Sequence, residues 1–386
     1  MLQGVEPLQA GLNAHLLSFD RTYRAAGISR YIRNLLLGFA KLGEPEDITV
    51  FASDRRAPRL LPNGERLHWC FSRWSTAKAS RRIAWEQLAL PLAASRKGIR
   101  VLHSPAHVAP LAWRGRSVVT VHDLSFLLLP QAFSAANRLY LSAFTRLSVR
   151  RADIVLTVSE NTRRDVIRLL GARPERVRVA YNGVEEVFRP LPAEQVEEFR
   201  RRRGLAERFI LFLGTLEPRK NVARLVEAYA RLRQAGFPHQ LVIGGGRGWL
   251  YEEIFALVQR LGVEKEVLFP GFISLEEEPL WYNAAEVFAY PSLYEGFGLP
   301  PLEAMACGVP VVASSTSSLP EVVGEAAILV DPYSLDDLTA ALKRVLSDEA
   351  LRHELSGRGL ARARQFSWDQ TARMAAEVYR ELSRND

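Results

Sequence analysis

Val287-Phe-Ala-Tyr-Pro-Ser-Leu-Tyr-Glu295-Gly-Phe-Gly-Leu-Pro-Pro-Leu-Glu303-Ala-Met-Ala-Cys-Gly308-Val-Pro-Val-Val-Ala313 reads as a strand, a glycine loop, a short helix and a second strand. Val287 to Tyr290 is an apolar run of strand length, and Pro291 ends it. Gly296 and Gly298 let the backbone approach a ligand with no side chain in the way. Pro300 and Pro301 suit a helix's first turn, where a missing N–H costs nothing. Gly308 is placed to stop that helix. The loop amides and the helix N-terminus together suit an anion such as a phosphate. Glu295 stands just before the loop, and Glu303 is expected in the helix's first turn. A helix dipole alone also favours an acid there.

Glu295-Gly296-Phe297-Gly298-Leu299-Pro-Pro-Leu-Glu303 resembles the E-x-F-G-x-x-x-x-E signature of retaining glycosyltransferases of family 4, which have the GT-B fold. The resemblance implies that Glu295 lies by the donor sugar and that Glu303 binds the ribose hydroxyls. A diol suits one carboxylate, because two hydroxyl donors can share its two oxygens. It further implies a donor site spanning Glu295, Gly296, Phe297, Gly298, Leu299 and Glu303.

Upstream, Arg208 to Gly214 reads as a strand, followed by Thr215-Leu-Glu-Pro-Arg219-Lys220-Asn221 and a helix over 222–235. A guanidinium, an ammonium and backbone amides at a strand's carboxyl end would hold a diphosphate. The Arg-Lys-Asn triplet also resembles the family. In that family the segment matching Gly271-Phe272-Ile273 meets the nucleobase through its backbone. The run Gly244-Gly-Gly-Arg-Gly-Trp249 is not a dinucleotide fingerprint, since it lacks the acidic partner at the expected distance.

The first half alternates in the same way. A strand is expected over 11–19, then a loop with Arg21, Arg24 and Gly27, then a helix over 28–42. Gly27 stands where strand hands over to helix, and the resemblance places it beside the donor diphosphate. Val118-Val-Thr-Val-His122-Asp123 is a strand ending in a polar pair, at the edge where α/β sheets bind ligands. In the family a histidine here faces the donor sugar. His103-Ser-Pro-Ala-His107 is broken by Pro105 and has no acid beside it, so it is expected to be a loop open to substrate rather than a metal site. Ser159 is expected to cap a helix over 160–170. Residues 53–98 read as irregular and rich in Arg and Trp.

Composition sets bounds. The 386 residues favour two domains, and 48% hydrophobic with 24% charged residues is ordinary for a folded protein. Two cysteines, Cys70 and Cys307, offer neither a disulfide framework nor a metal cluster. Residues 1–20 lack the pattern of a signal peptide, and no apolar run is long enough to span a bilayer. A cytoplasmic protein is expected, with the inner face of the membrane as a candidate peripheral location. Residues 1–190 carry 29 Lys and Arg against 15 Asp and Glu, a net +14, while 191–386 carry 22 against 28, a net −6. A basic half suggests an anionic partner. Basic residues interleaved with Trp69, Trp74 and Trp85 suggest a membrane surface or lipid-linked acceptor. No nucleic-acid motif is present, so no nucleic-acid partner is expected.

The expected architecture is therefore α/β. Two Rossmann-like domains with parallel sheets face each other across a cleft, at 1–190 for the acceptor and 191–365 for the donor. A helix over 366–386 returns to the first domain. The resemblance implies a retaining, metal-independent hexosyltransferase using a nucleotide-sugar donor and a glycan or lipid-linked acceptor. His122, Glu295, Arg219 and Lys220 are its expected catalytic residues. The stretch 118–184 and Gly248-Trp249 resemble bacterial mannosyltransferases of polysaccharide assembly, which implies GDP-mannose. The alternatives are a UDP-sugar enzyme of the same fold and a nucleic-acid or surface-binding protein.

Overall fold

The computed structural model describes residues 9–20, 27–42, 48–74, 76, 78–246, 248 and 251–384. Arg21, Arg24 and Trp249, singled out in the sequence, lie outside the described residues. The chain divides into two units, Met1–Gly183 with Trp368–Asp386, and Val184–Ser367. Val184 belongs with the second unit because its N–H donates to the Phe366 carbonyl and it pairs with Ser367.

The first unit holds a sheet of β1 (Ala10–Asn13), β2 (Ile48–Ala52), β3 (His68–Phe71), β4 (Val101–Ser104), β5 (Arg116–Val121), β6 (Ile154–Thr157) and β7 (Val177–Val179). Its order is β3-β2-β1-β4-β5-β6-β7, with every pairing parallel. The second unit holds β8 (Phe209–Leu213), β9 (Gln240–Gly244), β10 (Val267–Gly271), β11 (Val287–Tyr290), β12 (Val311–Ser314) and β13 (Ala327–Val330). Its order is β10-β9-β8-β11-β12-β13, again all parallel. The central strands β8 and β11 are buried along their whole length, as sheets covered by helices on both faces require. In each unit the winding reverses beside the first strand, and the carboxyl ends around that point are where such sheets bind ligands.

The last helix, Trp368–Arg384, packs on the helix Ile28–Lys41 of the first unit. Tyr379 reaches His103 at 2.5 Å, Thr371 donates to the Tyr181 carbonyl, and Arg178 grips Glu381 with both Nη atoms at 2.6 and 2.7 Å.

Three local readings are corrected. The first strand ends at Asn13, where a turn follows, and does not run to residue 19. Residues 53–98 are not irregular: β3 pairs in register with β2, and a helical run covers Ala79–Arg96 with a π turn at Trp85–Ala89. Its Trp85, Leu90 and Ala94 pack on Phe51, Ile99 and Leu102, a burial the Arg-rich composition concealed. Of the three tryptophans read as surface groups, Trp74 is half exposed, whereas Trp85 is core and Trp69 stacks on Phe71 with its indole N–H given to the Gly64 carbonyl. Among the described residues no helix is long and apolar enough to cross a membrane.

Candidate active site

In the second unit the carboxyl ends of β8 and β11 bring Arg219, Lys220 and Glu295 together. Glu295 is buried. Its Oε1 accepts from Lys220 Nζ at 2.7 Å and from the Ser292 hydroxyl at 2.5 Å, while Oε2 accepts from Arg219 at 3.1 Å. Arg219 also donates to Glu217 at 3.0 Å and to the Tyr294 carbonyl at 2.8 Å. Lys220 Nζ donates to the Tyr290 hydroxyl at 2.6 Å. Burial is the largest influence on both ends of this pair. It pushes the Lys220 ammonium below its usual range, against the pull of Glu295. On Glu295 burial acts upward, but Lys220 and Arg219 outweigh it and the carboxyl ends below its usual range. Two cations and an ionised carboxylate are thus assembled in low dielectric, where electrostatic effects are strong.

The backbone is pinned to match. Asn221, in the left-handed region at φ 57°, donates to the carbonyls of Pro291 and Pro332, tying the Arg219–Lys220 loop to the ends of β11 and β13. Ser318 donates to the carbonyls of Glu295 and Phe297, and Ser317 accepts from the Glu295 N–H. Phe297 is buried edge-on against Phe366. Gly298 has φ 111°, and a Cβ there would stand 2.7 Å from Leu319 Cδ2, so glycine is required at this turn.

The helix Leu299–Ala306 follows Gly298 and ends in a Schellman pair, Gly308 N–H to Met305 and Val309 N–H to Ala304. Because the helix starts at Leu299, Glu303 lies in its second turn, which corrects the first-turn expectation. Its dipole role is weaker there, since the effect fades beyond the first turn. Glu303 is 1% exposed and accepts from the Tyr282 hydroxyl at 3.0 Å. Gly271 ends β10 at φ 79°, and Phe272 beside it is 45% exposed.

Gly27 and His122 belong to the first unit. Gly27 precedes the helix Ile28–Lys41, and Tyr31 of that helix meets the His122 ring edge-on at 4.7 Å. His122 Nε2 donates to the Pro105 carbonyl at 2.7 Å, so the neutral ring presents Nδ1 as an acceptor. Burial, with His107 nearby, holds its pKa down to about 4. His103 is not in an open loop. It sits within β4, fully buried, bonded to Tyr379 and to Thr120, with its pKa lowered by burial to about 3.

At the carboxyl ends of β1–β3 lies a cavity of about 650 Å³, with Trp74, Arg55, Arg73, Asp20 and Asp54 on its walls. Arg56 holds both acids. His15 lines it at 5% exposure, its ring 3.7 Å from that of Trp85 in the π turn and tilted by 39° to it. Sequence reading missed Glu217, Ser292 and Tyr290 as partners of the cationic pair. Glu217 was visible two residues before Arg219, while Ser292 and Tyr290 carried no local signal. Among the described residues no group of three or more His, Cys, Asp or Glu could hold a metal ion.

The family described as Glycosyl transferases group 1 matches residues 195–362, and Glycosyltransferase Family 4 matches residues 25–187. The chain is 36% identical over 284 residues to the O-antigen chain mannosyltransferase B of Escherichia coli, covering 73% of this chain and 74% of that one. It is 29% identical over 364 residues to the serotype-specific mannosyltransferase WbdA of Escherichia coli, covering 91% of this chain but 43% of that protein. Among solved structures it resembles a sucrose-phosphate synthase of Thermosynechococcus elongatus, with TM-score 0.80, 24% identity and 98% and 99% of the two chains covered. It also resembles Anabaena HepE in complex with UDP-glucose, with TM-score 0.75, 21% identity and 96% and 98% covered.

Proposed function

Because the chain belongs to the group 1 and family 4 glycosyltransferases, we propose that it is a retaining transferase moving mannose from GDP-mannose to a growing glycan. The observation that carries this reading is the Arg219–Lys220–Glu295 cluster, its Lys220 and Glu295 buried, beside the glycine loop and helix start at 295–299. In this reading the donor's anomeric carbon–oxygen bond breaks as Arg219, Lys220 and the loop amides take up the diphosphate charge. The acceptor hydroxyl attacks from the same face and its proton passes to the departing phosphate oxygen. Such preorganised donors are worth about 10²–10³ in rate each. Glu295 keeps the cations assembled before the donor arrives, Glu303 takes the ribose diol, and Gly271 and Phe272 border the base. No metal ion is needed, so dialysis against a chelator leaves turnover unchanged.

Mannose is favoured by the two mannosyltransferase relatives, and the acceptor is assigned to the cavity at β1–β3, where Trp74 offers a face for a sugar ring. We place the enzyme in the cytoplasm against an anionic leaflet, on the +14 charge of residues 1–190. A donor-hydrolysis panel tests the reading: release of GDP from GDP-mannose supports it, and hydrolysis of UDP-sugars alone overturns the donor. The UDP alternative has its own support in the likeness to HepE, whose structure holds UDP-glucose.

A further inference from the structure

The first unit has a second cavity, of about 700 Å³, at the opposite edge of its sheet. It opens at the amino ends of β4, β5 and β6: Arg100 precedes Val101, Arg116 begins β5, and Asp153 precedes Ile154. Arg114 and Arg151 bring the arginines on its walls to four, against the single acid Asp153. That acid is already committed. Its Oδ1 accepts from Arg116 at 3.2 Å and its Oδ2 from the Ser117 N–H at 2.9 Å. Among the described residues no carboxylate lies within ion-pair distance of Arg114 or Arg151.

The frame that carries these side chains is fixed. Trp113 is buried and its indole N–H donates to the Arg116 carbonyl at 2.9 Å, while Arg116 N–H donates to the Arg100 carbonyl at 2.9 Å. Arg151 ends the helix Ala135–Arg151, where a cation suits the carbonyl end. That suits Arg151 and Asp153 suits Arg116, but neither gives Arg114 or Arg151 a carboxylate. Substrates of parallel sheets bind at the carboxyl ends, so the transfer reaction does not explain these cations either. Guanidinium groups gathered in a concave site match the oxygens of a phosphate in geometry and charge.

We propose that this cavity binds a phosphate group, presented by a soluble phosphate-bearing molecule or by a lipid headgroup, at a site separate from the donor's diphosphate. Calorimetric titration of the full chain with inorganic phosphate tests it. Arg114→Ala and Arg151→Ala each weaken binding about tenfold, and the double variant loses this site, while affinity for a nucleoside diphosphate is unchanged. Both side chains are exposed, so the variants keep the wild-type melting temperature; Arg114→Glu serves as a second probe if Arg114→Ala does not. Phosphate affinity unchanged in the double variant, or no phosphate binding by the wild type, overturns the proposal. Sedimentation with phosphatidylglycerol vesicles separates the two sources. Vesicle binding lost in the same variants assigns a lipid headgroup, and vesicle binding absent or unaffected, with phosphate binding lost, assigns a soluble ligand.

Discussion

The two units wind their sheets in the same order, yet furnish the carboxyl edges with opposite chemistry. The second unit buries charge there: Lys220 and Arg219 clasp Glu295, with Ser292 and Tyr290 completing the bonds. The first unit buries neutral rings there: His103, His122 and Tyr31 meet around Thr120, and burial keeps both imidazoles uncharged. A doubly wound sheet thus decides where a site forms, while side chains decide what it can stabilise. A departing diphosphate needs standing positive charge.

The sharpest way to break this contrast is to take the anion out of the charged unit. Glu295→Ala leaves Lys220 buried without its carboxylate, and we expect the second unit to lose about 3–5 kcal/mol of stability, read as a lowered denaturation midpoint. An unchanged midpoint would mean that the cluster does not act as a buried ion pair.

Next in size are the cations themselves. Arg219→Ala and Lys220→Ala are each expected to lower kcat about 10²–10³-fold, with little change in discrimination between donor sugars, since the proposed contact is to phosphate. Steady-state kinetics with two donors would reveal the opposite pattern, in which specificity shifts and turnover stays. Glu303→Ala should weaken nucleotide binding by about 1.5–3 kcal/mol for each charged hydrogen bond lost, with Glu303→Gln, which keeps the volume, falling between. Calorimetry showing wild-type affinity in a folded Glu303→Ala protein would remove Glu303 from the site.

How much of this was legible depended on whether the partners are close in sequence. The loop Glu295–Leu299 and the Arg219–Lys220 turn are local patterns of glycine, charge and strand ends, and both could be read directly. The alternation of strands and helices likewise carried the two parallel sheets. What escaped depends on long-range packing. His103 is held by Tyr379, 276 residues away, so nothing near His103 marks it as core. Trp85 and the π turn face His15 across the sheet edge, and their arginine neighbours read as surface. Glu303 was placed one turn early because helix starts are fixed by backbone geometry at Gly298 rather than by the prolines that follow.

Acid should separate the two units. His15, His103 and His122 are held at about 3, 3 and 4 in the fold against 6.5 when unfolded. The unfolded chain therefore binds more protons as pH falls below 6.5, and the first unit's stability declines until the folded values near 3–4 are reached. At pH 5 the loss is about 2 kcal/mol per ring. Glu86, raised by burial to about 6, offsets part of it between 4.5 and 6. Glu295, lowered below 4.5, keeps its contribution above that pH and loses it as pH falls further. Melting curves from pH 7 to 5 should show the first unit's transition moving further than the second's; equal movement would contradict the contrast. The smallest effect is expected at Gly27, where φ is 55° and no atom lies within 4 Å of an added Cβ. Because its ψ of −113° lies outside the left-handed helical region, Gly27→Ala should cost on the order of 1–3 kcal/mol of backbone strain alone, read as a modest drop in melting temperature.

The central claim is that the second unit's Arg219 and Lys220 are there for a diphosphate. Calorimetry compares GDP with guanosine on the wild type and on the Arg219→Ala/Lys220→Ala double variant. The account predicts that GDP binds the wild type far more tightly than guanosine does, and that this advantage collapses in the double variant while guanosine affinity holds. A GDP advantage that survives the loss of both cations would contradict it.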